Sequence, residues 1–358
     1  MTTTITRYVD TAATIGGDGQ SQTHTNDGGG HRAYKSLSEW EAAEQKDLVS
    51  ADETHRVYCA GSARDEIACT VAGWNDTGPS NDVLIAGDPA APDGDGINPN
   101  NAFSTGHYRL GGVDNHALTM SINSWRIEDV QIDHQSATNN RAALRVVNIN
   151  LSNGTVDMKV HRSRIRWNAA ATIANHDAIA STDADAVLDI QNCIVDWDRG
   201  TFTEVGVLLS CAVTLFNCVV TGADNGIQIN GGTAAIRNCA VFDNADDFLD
   251  NSGGAATITI ENCASDDGDG TNAADLSPGA SEPDGWNDAF VDYANGDFAI
   301  KDSDSVLADA GTDGGPAADI LGTSFGTADI GAFAFDAAGA PPFPPELFKR
   351  ADPTILRL

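Results

Sequence analysis

The sequence predicts an all-β chain wound as a right-handed parallel β-helix, and three observations carry that prediction. An Asn-Cys pair recurs four times, in "IQNCIVDW", "LFNCVVTG", "IRNCAVFD" and "IENCASDD". Its cysteines, Cys193, Cys218, Cys239 and Cys263, follow one another at 25, 21 and 24 residues, the spacing of a stacked-repeat architecture. Around each pair apolar residues alternate with polar ones until the Asn, as at Leu188, Ile190, Cys193 and Val195 around Asn192. That pattern reads as two short strands meeting at a sharp bend.

Asparagine suits the bend because it tolerates left-handed backbone, and its amide can bond to the Asn of the next rung. The turns between repeats, "TGADNGIQING" and "FDNADDFLDNSGG", are rich in Asn, Gly and Asp, so each repeat reads as one coil. Upstream, "VHRSRIRW" and "IEDVQIDH" place Ser163 and Val130 where the cysteine sits, at intervals of 30 and 33 residues. Those intervals imply longer loops in the early coils. The four cysteines are expected as free thiols in one inward column, because Cys in an apolar strand behaves as a small hydrophobe. Cys59 and Cys69 could pair, but the stretch "YCAGSARDEIAC" holds no histidine to suggest a zinc site.

Both ends of a solenoid expose a slice of core and must be capped. Near the start, Leu37, Trp40, Ala43, Glu44 and Leu48 fall at helical spacing after Ser36 and Ser38, either of which can be an N-cap, and predict an amphipathic helix plugging the first coil. The expected organisation is an N-terminal strand and capping helix over 1–80, the β-helix over 81–275, a C-terminal cap over 276–340 and an extended arm over 341–358.

The stretch Phe290, Val291, Asp292, then Gly296, Asp297, Phe298, then Asp309, Ala310, Gly311, and finally Asp329 to Phe333 resembles the ends of bacterial and phage right-handed β-helix proteins, which finish on a "D-I-G-A-F" strand. "YVDTAATIGGDG" with "RAYKSLSEWEAA" resembles their opening strand and helix. The resemblance implies the fold and is nearly silent on function, since that superfamily includes polysaccharide lyases, glycosidases, adhesins, tailspikes and virion decoration proteins.

Composition narrows the partners. The 358 residues carry a formal charge of −32, with 52 acidic side chains against 20 Lys and Arg. Such a field repels phosphate, so nucleic acid is not an expected partner. An Asp-rich, Lys-poor surface also suits a protein that stays hydrated in brine. No apolar run reaches the ~20 residues of a membrane helix, and the start lacks a secretory leader, so membrane insertion and export are not expected.

No catalytic residues are expected from the sequence. On the strand after the second turn the outward residues in register are Ala180, Leu208 and Gln228, with no acid, base or metal ligand of the kind glycoside chemistry needs. The next strand carries Arg164 and Arg166 outward, with Arg166 between Asp133 and Asp196 at about 4.8 Å per rung. That arrangement is either a basic spot for a uronate or sialate glycan or an ion-pair ladder. Ile194, Val219, Ala240 and Phe242 form an apolar outward stripe, expected as a subunit interface, in a trimer, or else covered by the chain's own tail. Neither His24 and His31 nor any other histidines cluster, so no metal site is expected. The Asp-rich loops from Pro92 and from Asp266 could hold Ca²⁺ but read first as solvated turns, and no other cofactor is implied.

The last residues, "PPFPPELFKRADPTILRL", form a stiff proline segment and then an apolar stretch, with a side-chain charge of +1. Phe343, Leu347, Phe348, Ile355 and Leu358, with Lys349, Arg350 and Arg357, are expected to grip a partner. A rigid acidic body with one sticky arm reads as a virion structural protein of a tailed virus, a capsid decoration or spike protein. It would be made in the host cytoplasm and released by lysis, with the capsid and host-surface glycans as partners. The alternatives are a polysaccharide-degrading tailspike, lyase or glycosidase, and a carbohydrate-binding adhesin; the absence of carboxylate pairs leans against an enzyme.

Overall fold

The computed structural model describes residues 2–74, 78, 80–88, 107–112, 115–135, 140–147, 156–168, 176–198, 204–271, 274–277, 285–293, 296–321, 323–324 and 328–335. Over these residues the chain is a parallel β-helix of three sheets, with nine, nine and seven strands. One coil shows the plan. Val187–Gln191 belongs to the first sheet, Ile194–Asp198 to the second and Glu204–Leu209 to the third, and Ala212–Phe216 then returns to the first sheet one rung on. Parallel crossovers of this kind take the right-handed course. Coiling begins earlier than the sequence pattern indicated: Glu53–Ala60, Arg64–Asp65 and Cys69–Val71 already supply one strand to each sheet.

The bend between the first and second sheets is where the sequence signal lies. Asn192, Asn217, Asn238 and Asn262 all have φ of 52°, left-handed backbone that Asn tolerates better than other side-chain-bearing residues. Asp129 (φ 55°) and Arg162 (φ 46°) hold the same position in earlier coils, joined by a bidentate ion pair with Arg162 Nε and Nη2 each 2.9 Å from an Asp129 carboxylate oxygen. After the bend, Cys193, Cys218, Cys239 and Cys263 point inward as buried free thiols, and burial pushes the Cys193 and Cys239 thiols up. Cys59 and Cys69 are also free and buried. Further along the core, the ring of Trp167 stacks on His176 at 4.3 Å and on Trp197 at 5.5 Å, and meets the edge of His134 at 4.2 Å.

The helix Leu37–Glu44 starts at Ser36, whose hydroxyl accepts from Glu39 N–H, while Glu39 reaches back to Lys35 N–H at 2.7 Å. It buries Leu37 and Trp40 completely, the latter stacked on Trp74 at 5.3 Å. The helical pattern breaks before Leu48, which opens a separate short helix, Leu48–Ala51, capped by Asp47.

Residues 286–335 depart from expectation. The described residues of this stretch run along the flank of the solenoid rather than across its end. The short helix Trp286–Ala289 leads into an antiparallel hairpin of Phe290–Asp292 with Asp297–Ile300. With Leu307, Ile320, Ile330, Ala332 and Phe333 these residues bury a second core against the outward face of the second sheet. The "D-I-G-A-F" stretch is not a strand; Gly331 has φ of 103° and its N–H donates to Asn238 O at 2.7 Å.

This flank changes the meaning of the Asn column. Asn192 Nδ2 donates to Ala318 O (2.7 Å), Asn217 Nδ2 to Asp329 O (3.3 Å) and Asn238 Nδ2 to Thr312 O (2.9 Å), while Thr312 N–H returns a bond to Asn238 Oδ1 (2.8 Å). One rung-to-rung amide bond joins them, Asn238 to Asn217 at 3.4 Å. The asparagines shape the bends as expected, but their amides mainly hold the returning segment.

Candidate functional site: a groove on the third sheet

The stripe of Ile194, Val219, Ala240 and Phe242 is fully buried within one chain. Phe242 stacks on Phe290 at 5.0 Å and lies 5.7 Å from Tyr293. The expected subunit interface is therefore corrected: the tail of the same chain covers the stripe. An apolar outward row carries no information about which chain will cover it.

Arg164 is corrected with it. Its pairing with Asp196 is bidentate, Nε to Oδ1 at 3.2 Å and Nη2 to Oδ2 at 2.9 Å, with the guanidinium 5.5 Å from the centre of the Phe298 ring, and the residue is 3% exposed. No glycan reaches it. Arg166 has the expected neighbours, in register with Asp133 on one side and Asp196 on the other, with Nε 3.6 Å from Asp196 Oδ2. Burial pushes the Asp133 carboxyl up, and Arg64, Arg109 and Arg166 oppose the shift. The row is an ion-pair ladder.

Among the described residues the third sheet carries an open groove on its outer face. Strands Arg141–Val146, His176–Ser181, Glu204–Leu209 and Asn225–Ile229 floor a groove of about 540 Å³. Register puts Arg145, Ala180, Leu208 and Gln228 in one row, and Asp177, Val205 and Asn225 in another. Ala180, Leu208 and Gln228 were expected in that row; Arg145, one coil earlier, extends it and supplies the missing charge. Asn140, Arg141, Thr182 and Asn230 add polar walls, and His116 stands beside Arg145. Three strand spacings make the floor about 14 Å long, room for two or three sugar rings.

His116 is the informative residue. Its Nδ1 accepts the Ala142 N–H at 2.8 Å, which assigns the proton of the neutral ring to Nε2. Burial, then the charges of Arg145 and Arg141, push its pKa down to about 4, so the ring is neutral near pH 7. Nε2 then faces Arg145 Nη1 at 3.1 Å as donor against donor. Two donors so close leave an acceptor wanting, and a carboxylate or sulfate oxygen can take both. Asp177, half-buried on the same floor, has its carboxyl pushed up to about 7 by burial.

For a cation, oxygens of Asp246, Asp267 and Asp269 lie within 4.8 Å of one another, an oxygen-only set suited to Ca²⁺. Two of them come from the loop singled out in the sequence; the loop from Pro92 lies outside the described residues. His24 and His31 do not converge: His24 Nδ1 is 3.6 Å from Asp10, and His31 Nδ1 is 2.5 Å from Asp18. The arm residues Phe343, Leu347, Phe348, Lys349, Arg350, Ile355, Arg357 and Leu358 lie outside the described residues. No helix among the described residues is long and apolar enough to cross a membrane.

No family model matches the chain, and no curated protein is similar to it. Among solved structures, the crystal structure of pectate lyase Pel9A is similar over 94% of this chain and 97% of that one, at 12% identity and a TM-score of 0.33. The fold assignment rests on the strand pairing described above.

Proposed function

We propose that the protein is a carbohydrate-binding β-helix that takes a stretch of acidic polysaccharide along the groove of the third sheet. The observation that carries the reading is the 3.1 Å approach of His116 Nε2 and Arg145 Nη1, at one end of a floor that includes Ala180, Val205 and Leu208 with Asn and Gln amides around them. Apolar floor and amide walls suit the two faces of a sugar ring, and charged donors suit its carboxylate or sulfate. Among the described residues Asp177 is the one carboxylate lining the groove, whereas glycoside hydrolysis generally uses two, which favours binding over hydrolysis. Titration with acidic and neutral oligosaccharides tests it: acidic chains should bind and Arg145→Ala should weaken them at least tenfold. Equal binding of neutral chains, or none, would overturn it. Release of unsaturated or reducing ends, abolished by His116→Ala or Asp177→Ala, would move the protein among the polysaccharide-degrading enzymes.

A second reading is a virion structural protein, a capsid decoration or spike protein. It is favoured by the sequence of 341–358, whose prolines, apolar residues and net positive charge contrast with a body that carries −32. Under it, deleting 341–358 releases the protein from the particle. Incorporation of the truncated chain at full occupancy would end that assignment of the arm.

A further inference from the structure

With the described part of 286–335 on the flank, the last coil of the solenoid lacks, among the described residues, the cover expected there. Its condition shows in the burial of successive strands of the first sheet. In Thr233–Arg237 the inward residues Ala234 and Ile236 are buried, whereas in Thr257–Glu261, the last strand, Ile258 and Ile260 are only partly so. Phe248, on the last strand of the third sheet, is partly buried too. These three, with Ile229 and Ile236 beneath them, line a pocket of about 350 Å³ open at the end of the stack, with Asp250 and Asp269 on its rim. Asp246 and Asp267 stand beside Asp269. The end is thus an apolar slice with an acidic edge, and among the described residues the last strands of the first and third sheets pair along one side, with one bridge, Glu261 to Thr271, on the other, a condition that natural sheets cover or blunt.

We infer that residues 341–358 of the same chain close this end. Three features select that occupant over a second copy. The first is charge: a second copy would bring the same carboxylates against these, whereas the arm brings Lys349, Arg350 and Arg357. The second is chemistry: Phe343, Leu347, Phe348, Ile355 and Leu358 supply the apolar side chains that the slice lacks, and Thr354 and Ile355 are β-branched, suited to an added strand. The third is reach. Phe335 N–H donates to Asp329 Oδ2 at 2.7 Å, and Asp329 O meets Asn217, two rungs before the last strand of the first sheet. From there residues 336–340 can extend about 17 Å, more than the two or three rungs of about 4.8 Å that remain. The arm that the virion reading sends outward is, in this inference, the missing cap.

Hydrogen exchange on the full chain and on a chain ending at residue 340 tests the inference. Amides of Thr257–Glu261 and Asp246–Asp250 should exchange at least tenfold faster after truncation, a dye for exposed apolar surface should bind more, and a synthetic peptide of 341–358 should restore protection saturably. Should truncation abolish folding, the full-length triple substitution Lys349→Glu, Arg350→Glu, Arg357→Glu should show the same faster exchange in the same strands. Equal protection with and without the arm overturns the inference and leaves the arm for another partner. Protection that appears only together with a concentration-dependent dimer overturns it in favour of a second copy. Glycan binding in the groove is unaffected in every case, so this test and that of the groove fail independently.

Discussion

Arg164 and Arg145 both project outward from the same solenoid. The first is 3% exposed, clamped to Asp196 and roofed by Phe298; the second stands in an open groove beside a neutral histidine. What separates them is not residue type but the described part of residues 286–335, which folds over the second sheet that carries Arg164 and not over the third that carries Arg145. A β-helix offers three long faces, and a returning tail decides which of them can meet a ligand. The same guanidinium is structural under the tail and available outside it.

The largest effects are expected on the covered side. Asp196→Ala removes the carboxylate that clamps the buried Arg164 charge and should cost roughly 3–5 kcal/mol; pairing it with Arg164→Met should recover most of the loss. Phe242→Ala should cost about 3–5 kcal/mol, with the oligomeric state unchanged. Urea melts and sedimentation check both; a changed oligomer at an unchanged urea midpoint would restore the subunit-interface role of the stripe. Next comes Asn238→Ala, which removes both bonds to Thr312 and asks Ala to hold φ of 52°. About 1–3 kcal/mol should be lost, with faster exchange concentrated in residues 312–335. On the bare side, Arg145→Ala should move stability by no more than about 0.5 kcal/mol while weakening acidic glycans tenfold. A large stability loss there would mean that the groove is structural after all.

A further effect is a pH dependence. Burial raises the Asp177 carboxyl to about 7, above its unfolded value, so the native state holds that proton more tightly than the unfolded chain does. Its contribution is therefore intact at low pH and is lost as pH rises through about 7. Asp177→Asn should raise the urea midpoint at pH 8 more than at pH 4. Acidic glycans should also bind wild type more tightly at pH 5.5 than at pH 8, since the ionised carboxylate repels them. A flat wild-type profile, or a mutant with the same slope, would place the titration elsewhere.

The coils were legible because their signal is local. Asn at a left-handed bend, Cys beside it and alternation around both lie within eight residues, and the register they gave placed Arg166 correctly between Asp133 and Asp196. The groove was half legible. Ala180, Leu208 and Gln228 were in their row, but the row was begun one coil late, across a 35-residue offset from Arg145 to Ala180 that the shorter repeats do not suggest. "RAALRV" carries a usable signal, a polar residue recurring in an apolar strand, once the longer offset is allowed. His116 was beyond reach, because its significance comes from a backbone N–H at residue 142. The covering of the stripe was invisible for a more general reason: burial by a distant segment of one's own chain and burial by a neighbour require the same apolar residues.

The bonds from Asn192, Asn217 and Asn238 to positions 318, 329 and 312 have an evolutionary corollary. Most repeat proteins lengthen or shorten by copying or dropping a unit, since each unit touches only its neighbours. Here a gained or lost unit between residues 192 and 238 would displace the anchor points relative to a segment that is read without any repeat of its own. Close homologues of this chain should therefore differ in loop length but share its number of turns, like a zip whose teeth are counted by the fabric on the other side.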